Sequence, residues 1–142
     1  MPEMTADEYK SFLTHGTRTA KVATVRKDGR PHVAPIWFVL DGDDLIFTTA
    51  RTSVKGQAIL RDGRVSLCVD DEEPPHAFAL VEGMATTTQD AEDLLRWATR
   101  IAARYMGEEQ AEAFGRRNAV EGELLVRVTP TNVVTENDIA GW

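Results

Sequence analysis

Two Asp-Gly pairs, Asp28-Gly29 and Asp41-Gly42, constrain this chain more than any other feature. Each is flanked by segments rich in Thr, Val, Ile and aromatic residues, and Asp-Gly between such runs marks a tight hairpin turn. Thr19 to Lys27 leads into the first turn, His32 to Leu40 runs between the two, and Leu45 to Thr49 leaves the second. Strands joined by turns this short predict an antiparallel meander, not a βαβ unit, whose crossover needs about a dozen residues or more.

Helices are expected around this meander. Thr5 and Glu8 are spaced as a capping box, Tyr9, Phe12 and Leu13 form an apolar face behind them, and Gly16 supplies the stop. A short helix is expected from about Ser53 to Leu60, then a strand from Arg64 to Val69. The run Asp70-Asp71-Glu72-Glu73-Pro74-Pro75 places four like charges before two prolines, which reads as a solvated loop. A strand from His76 to Thr87 follows, with Gly83 marking a bulge or a close backbone approach. The clearest helix spans Asp90 to Met106, where Leu94, Ala98, Ile101, Ala102 and Tyr105 recur on one stripe. A second helix, Glu109 to Asn118, leads to a final strand pair, Glu123 to Val128 and Asn132 to Thr135. No repeat or linker interrupts the chain, so one domain is expected over residues 1–142. The fold class is mainly β with peripheral helices: an antiparallel barrel, closed or nearly so, which hides its strand edges.

Charge and motifs exclude several functions. Sixteen basic against 23 acidic residues leave a net charge of −7, the wrong sign for a protein whose main partner is nucleic acid. No stretch approaches the roughly 18 apolar residues of a membrane span. The N-terminus lacks the basic-then-apolar order of a signal peptide and Cys68 is the one cysteine, so a cytoplasmic protein is expected. His15, His32 and His76 lie in different segments without ligand spacing, so no metal site is expected. Cys68 sits within an apolar run and reads as a small hydrophobe. No nucleophile elbow, P-loop or dinucleotide fingerprint is present, and no side chain stands out as a catalytic base.

The informative segment runs from Thr48 to Lys55. A strand ends in Thr48-Thr49, a loop carries Arg51 and Thr52, and a helix starts at Ser53. Unpaired N–H groups at a helix start suit an anion, and Arg51 and Lys55 add charge from either side. Spacing alone supports two readings equally: a phosphate site, or an ordinary Ser53 N-cap beside two solvated cations.

Four pieces recur here in order: Thr19 to Val25, Asp28 to Val33, Pro35 to Phe38, and Phe47 to Leu60. Together they resemble the pyridoxamine-5′-phosphate-oxidase-like split-barrel family, in particular its flavin/deazaflavin oxidoreductase branch, many members of which use coenzyme F420. The resemblance covers about residues 5 to 135. It implies that Lys55 holds a cofactor phosphate, with Ser53 and, more loosely, Arg51 in the same loop and Thr48 and Thr49 beside the phosphate and ribityl chain. Ala23, Thr24 and Val25 on one strand, and Pro35, Ile36 and Trp37 on the next, would border the ring system. His76 and Phe78 match positions that face the cofactor across a homodimer interface. Family members bind FMN, deazaflavin or occasionally haem, and the cofactor carries the chemistry, so no catalytic side chain is expected. The anionic tail of F420 asks for a basic groove, for which Arg51, Lys55, Arg61 and Arg64 are candidates. Pyridoxamine-phosphate oxidation itself is not expected, because no Arg-x-His substrate clamp follows Thr135. The expected activity is hydride transfer from reduced F420 to an electron-poor small molecule. FMN-dependent oxidoreduction and a non-catalytic carrier are the alternatives.

Overall fold

A computed structural model describes residues 3–141; Met1, Pro2 and Trp142, part of the expected 1–142 domain, lie outside the described residues. The order is α1 (Ala6–Thr14), β1 (Ala20–Val25), β2 (Pro31–Ile36), β3 (Val39–Asp41), β4 (Asp44–Ala50), α2 (Val54–Arg61), β5 (Arg64–Asp71), β6 (Ala77–Thr88), α3 (Ala91–Met106), α4 (Glu108–Asn118) and β7 (Glu123–Glu136). Local chemistry sets many of these bounds. The Thr5–Glu8 capping box is formed in both directions, and Asp90 caps α3 through the Asp93 N–H.

One departure from the expected meander determines the architecture. His32 to Leu40 is not one strand but two, parted at Trp37-Phe38. β2 pairs with β1, β3 pairs with β4, and the sheet runs β2-β1-β5-β6-β7-β4-β3, all antiparallel. Two residues therefore carry the chain from one edge of a seven-stranded sheet to the other. Flat, such a sheet is about 29 Å wide, whereas Ile36 to Val39 spans at most about 11 Å. The sheet must roll. The result is the expected barrel, with Val22, Phe38, Phe47, Leu67, Val81 and Val126 filling its interior. β1 and β5 pair from Lys21 to Ala23 and then part, which leaves a split in the wall.

Two further expectations change. The final strand pair is one continuous strand, β7, which pairs with β4 from Glu123 to Val128 and with β6 from Leu125 to Glu136. Pro130, which cannot donate to the ladder, is accommodated at a bulge where Thr131 is the extra residue opposite Glu82/Gly83. Gly83 is a close approach as well, since a side chain there would meet the Thr129 carbonyl at 2.7 Å. β5 extends into the acidic run to Asp71, because Lys21 pairs with Asp70 and Arg18 with Asp71, which removes the repulsion that argued for a loop.

α3 covers the outer face of β4 and β7, where Ile46, Leu94, Trp97 and Leu125 form a second apolar cluster, and α4 packs on α3. Among the described residues no helix covers the outer face of β2-β1-β5-β6, although Val33, Leu80 and Met84 are exposed on it. Arg104 of α3 ties the barrel together from outside. Its guanidinium donates to the carbonyls of Leu13 (2.7 Å), Gly16 (3.0 Å), Arg18 (3.4 Å) and Phe38 (2.6 Å). Those carbonyls belong to the end of α1, the entry to β1 and the β2–β3 crossover.

Candidate functional site

Ser53 settles how the loop from Thr48 to Lys55 is built. Its hydroxyl donates to the Ala50 carbonyl (2.7 Å) and accepts from the Gly56 N–H (3.0 Å), so the Thr49 hydroxyl, 2.9 Å away, must be donating to it. Ser53 is an N-cap and Thr49 supports it, with both hydroxyls engaged within the protein. A side chain at Gly56 would collide with the Ala50 carbonyl, so the turn into α2 is closed tightly over the strand end. Arg51 and Thr52 are exposed at the tip.

The two remaining members of the segment, Thr48 and Lys55, do converge. They line one cavity of about 260 Å³ together with Pro35, Ile36 and Trp37 from the end of β2. Trp37 stacks on Tyr105 with ring centroids 5.0 Å apart and planes 2° from parallel, which fixes its orientation at the mouth. The Ile36 side chain turns into the barrel core, so only its backbone is offered to a ligand. Asn118 and Glu123 complete the polar lining, and neither was expected from the sequence. Glu123 accepts a hydrogen bond from Thr48 and feels the charge of Lys55. Burial nevertheless pushes its carboxyl above the ordinary carboxylate range, against the pull of those two groups. The Glu123 carboxyl thus already draws on Lys55 and the Thr48 hydroxyl, the two groups in this pocket that favour a negative charge.

The other expected residues lie elsewhere. Ala23, Thr24 and Val25 line a larger cleft of about 1100 Å³ with Arg61 and Arg64. Arg61 and Arg64 therefore do not extend a groove from Lys55. They sit at the opposite end of α2, Arg61 donating to the Val25 carbonyl (2.7 Å) and Arg64 gripping Asp62, whose carboxyl it holds down at about 2. The two cavities are linked along the sheet. Lys21 is opposite Pro35 and Ala23 opposite Val33, so Pro35 of the first cavity and Ala23 of the second share the outer face of one ladder. His76 and Phe78 line a third cavity with Cys68 and Ile139. His76 adopts φ 64°, a left-handed conformation held by its N–H to Glu73 and by the Ile139 N–H on its carbonyl. Among the described residues no group of three or more His, Cys, Asp and Glu is placed to hold a metal, and no helix is long and apolar enough to cross a membrane.

Against known families, residues 5–134 match the family described as pyridoxamine 5′-phosphate oxidase. The chain belongs to that family. Its members share the split-barrel fold and include flavin-binding oxidoreductases, and the rolled seven-stranded sheet described above is that fold. A conserved hypothetical protein, Rv2991 from Mycobacterium tuberculosis, superposes with a TM-score of 0.82 at 24% identity, over 94% of this chain and 85% of its own. An F420 reductase superposes at 0.68 and 26% identity, over 87% and 94%. The haem storage protein HutZ from Vibrio cholerae superposes at 0.73 and 17% identity, over 95% and 97%. No curated protein matches the sequence significantly. Solved structures with this fold thus include proteins named for different cofactors.

Sequence reasoning missed Glu123 and Asn118, as well as the Trp37–Tyr105 stack. Glu123 had a faint signal: it follows Gly122 at the start of a strand, where a charged residue commonly faces solvent. Its approach to Lys55 depends on β4 and β7 pairing Ala50 with Glu123, which no local pattern announces.

Proposed function

We propose that this chain is a deazaflavin (F420)-dependent reductase that passes a hydride to an electron-poor small molecule. The observation that carries the reading is the convergence of Lys55 and Thr48 with Pro35 and Trp37 on one cavity at the start of α2. There Lys55 and the Thr48 hydroxyl would hold the phosphate, and the outer face from Pro35 to Ala23 would take the ring. The fit is chemical: the Glu123 carboxyl draws on the same two partners that a phosphate would use. When bound, the cofactor supplies the two electrons and one proton of the hydride. This chain's residues bind and orient it, and Trp37, locked on Tyr105, limits water at the mouth. The 26% identity to an F420 reductase over most of both chains supports this cofactor over FMN.

Lys55→Ala is expected to weaken F420 binding by about 1.5–3 kcal/mol, the range for a hydrogen bond to a charged group. Fluorescence titration of the purified protein with F420 and with FMN checks both points. Unchanged F420 affinity in the variant returns Lys55 to a solvated helix face, and tighter FMN binding reverses the choice of cofactor. Tight binding with no oxidation of the reduced cofactor by any acceptor would make the protein a carrier.

We also read the uncovered face of β2-β1-β5-β6 as the contact of a homodimer. Its Val33, Leu80 and Met84, and Val134 of the adjoining β7 opposite Leu80, are exposed apolar side chains that such a contact would cover. In such a dimer His76 and Phe78 of one protomer would approach the cofactor of the other. Sedimentation equilibrium should give twice the chain mass, and a monomer at tens of micromolar would remove this reading.

A further inference from the structure

We infer that the split between β1 and β5 is a binding site for an amphipathic carboxylate, a ligand with an apolar body and one or more anionic ends. The cleft opens where the ladder stops after Ala23 and Ser66, and it continues to the Gly83 bulge. At about 1100 Å³ it is the largest of the cavities described above.

Its charge is opposite to that of the chain. Arg26, Lys27, Arg61 and Arg64 line it against Asp62 and Glu82, a balance of 4 − 2 = +2 in a protein of net charge −7. Arg64 is neutralised by Asp62, and Glu82 accepts from Asn132. Among the described residues Arg26 and Lys27 have no ion-pair partner, and Arg61 donates to the Val25 carbonyl and shares the field of Asp62 with Arg64. Two cations thus face the cleft without a carboxylate of their own.

The floor combines apolar groups with an unsatisfied polar one. Val25 and Met84, 56% and 46% exposed, offer an apolar wall. Thr24, only 3% exposed, lines the same cleft, and its hydroxyl has no hydrogen-bond partner. A buried polar atom left unpaired costs stability, and a polar group of a ligand would remove that cost. An apolar wall, two cations without an ion-pair partner and an orphaned hydroxyl describe a carboxylate-bearing molecule better than a neutral one or a cation.

On the reductase reading, the cleft adjoins the Ala23 end of the ring face and would hold the molecule to be reduced. The binding site itself stands without it.

The probes are 1-pyrenebutyrate and its neutral analogue 1-pyrenebutanol, titrated by fluorescence into the full chain without cofactor. The acid is expected to bind at least about tenfold more tightly than the alcohol, the factor that one charge-assisted hydrogen bond supplies. Arg61→Gln should remove most of that preference. Because Arg61 also supports the Val25 carbonyl, the double variant Arg26→Gln/Lys27→Gln, at exposed positions, gives an independent measure. Amide shifts on adding the acid should centre on Ala23 to Lys27, Gly63 and Gly83. Equal binding of acid and alcohol, a preference that survives both variants, or shifts centred on Lys55 each overturn the proposal and leave the cofactor reading intact. Conversely, acid binding in the cleft with unaltered F420 affinity in Lys55→Ala removes the reductase reading and keeps the cleft.

Discussion

Glu123→Gln is expected to tighten cofactor binding about tenfold, opposite in sign to the effect of Lys55→Ala. Glu123 holds the hydroxyl of Thr48 and the field of Lys55, the two groups a phosphate would use. A second negative charge within about 6 Å costs an incoming anion roughly 3 kcal/mol at an effective dielectric near 20, and about 1–2 kcal/mol after solvent screening. Glutamine keeps the size and the hydrogen bond from Thr48 while removing the charge. Calorimetric titration of both proteins at pH 7.5 checks the result, and weaker binding in the variant would make Glu123 a direct ligand to the cofactor.

The same residue predicts a pH dependence. Burial raises the Glu123 carboxyl, so the folded chain holds its proton to a higher pH than the unfolded chain does. Stability from this group is full below the ordinary glutamate range and is lost as pH rises through the folded value. Wild-type affinity for the cofactor should therefore improve as pH falls into that window. The variant should lose this dependence, and its stability at neutral pH should match or exceed that of the wild type.

The largest effect on stability is expected from Arg104→Met, about 3–5 kcal/mol, with Tm lower by roughly 10–20 °C. Methionine replaces the stem but none of the four donated hydrogen bonds; the Leu13 and Gly16 carbonyls lose the guanidinium, while those of Arg18 and Phe38 are left to share the Tyr105 hydroxyl. Burial already lowers the guanidinium pKa, so the charge is retained there by its carbonyl partners and by the faces of Phe38 and Tyr105, 4.7 and 4.8 Å away. Arg104→Lys should recover little, because one ammonium cannot reproduce a planar fork over three chain segments. Denaturant unfolding with an unchanged m-value checks the prediction. A loss under 1 kcal/mol would mean that the crossover and α1 hold their places without α3.

The elements legible in the sequence are those whose energetics close within a few residues. The Thr5–Glu8 box, the Asp28-Gly29 turn, the Ser53 cap and the stripe of α3 each form between neighbours in the chain. Their residue types name them without reference to the rest of the fold. Antiparallel pairing followed from the turns, and family resemblance located Lys55. What only the tertiary structure decided depends on partners far away in sequence. The break at Trp37-Phe38 exists because β2 and β3 find β1 and β4 on opposite edges of the sheet, and the roll of the sheet brings those edges together. Thr129 to Thr131 reads locally as a turn, yet β6 lies alongside and absorbs Pro130 in a bulge. Ser53 and Lys55 are two residues apart, but one caps a helix and the other enters a pocket. The field in that pocket is set by Glu123, which pairing with β4 delivers to it. Sequence determined the helices and most strands and turns, whose contacts are local; the closing of the barrel determined where strands break or run on and which charges meet.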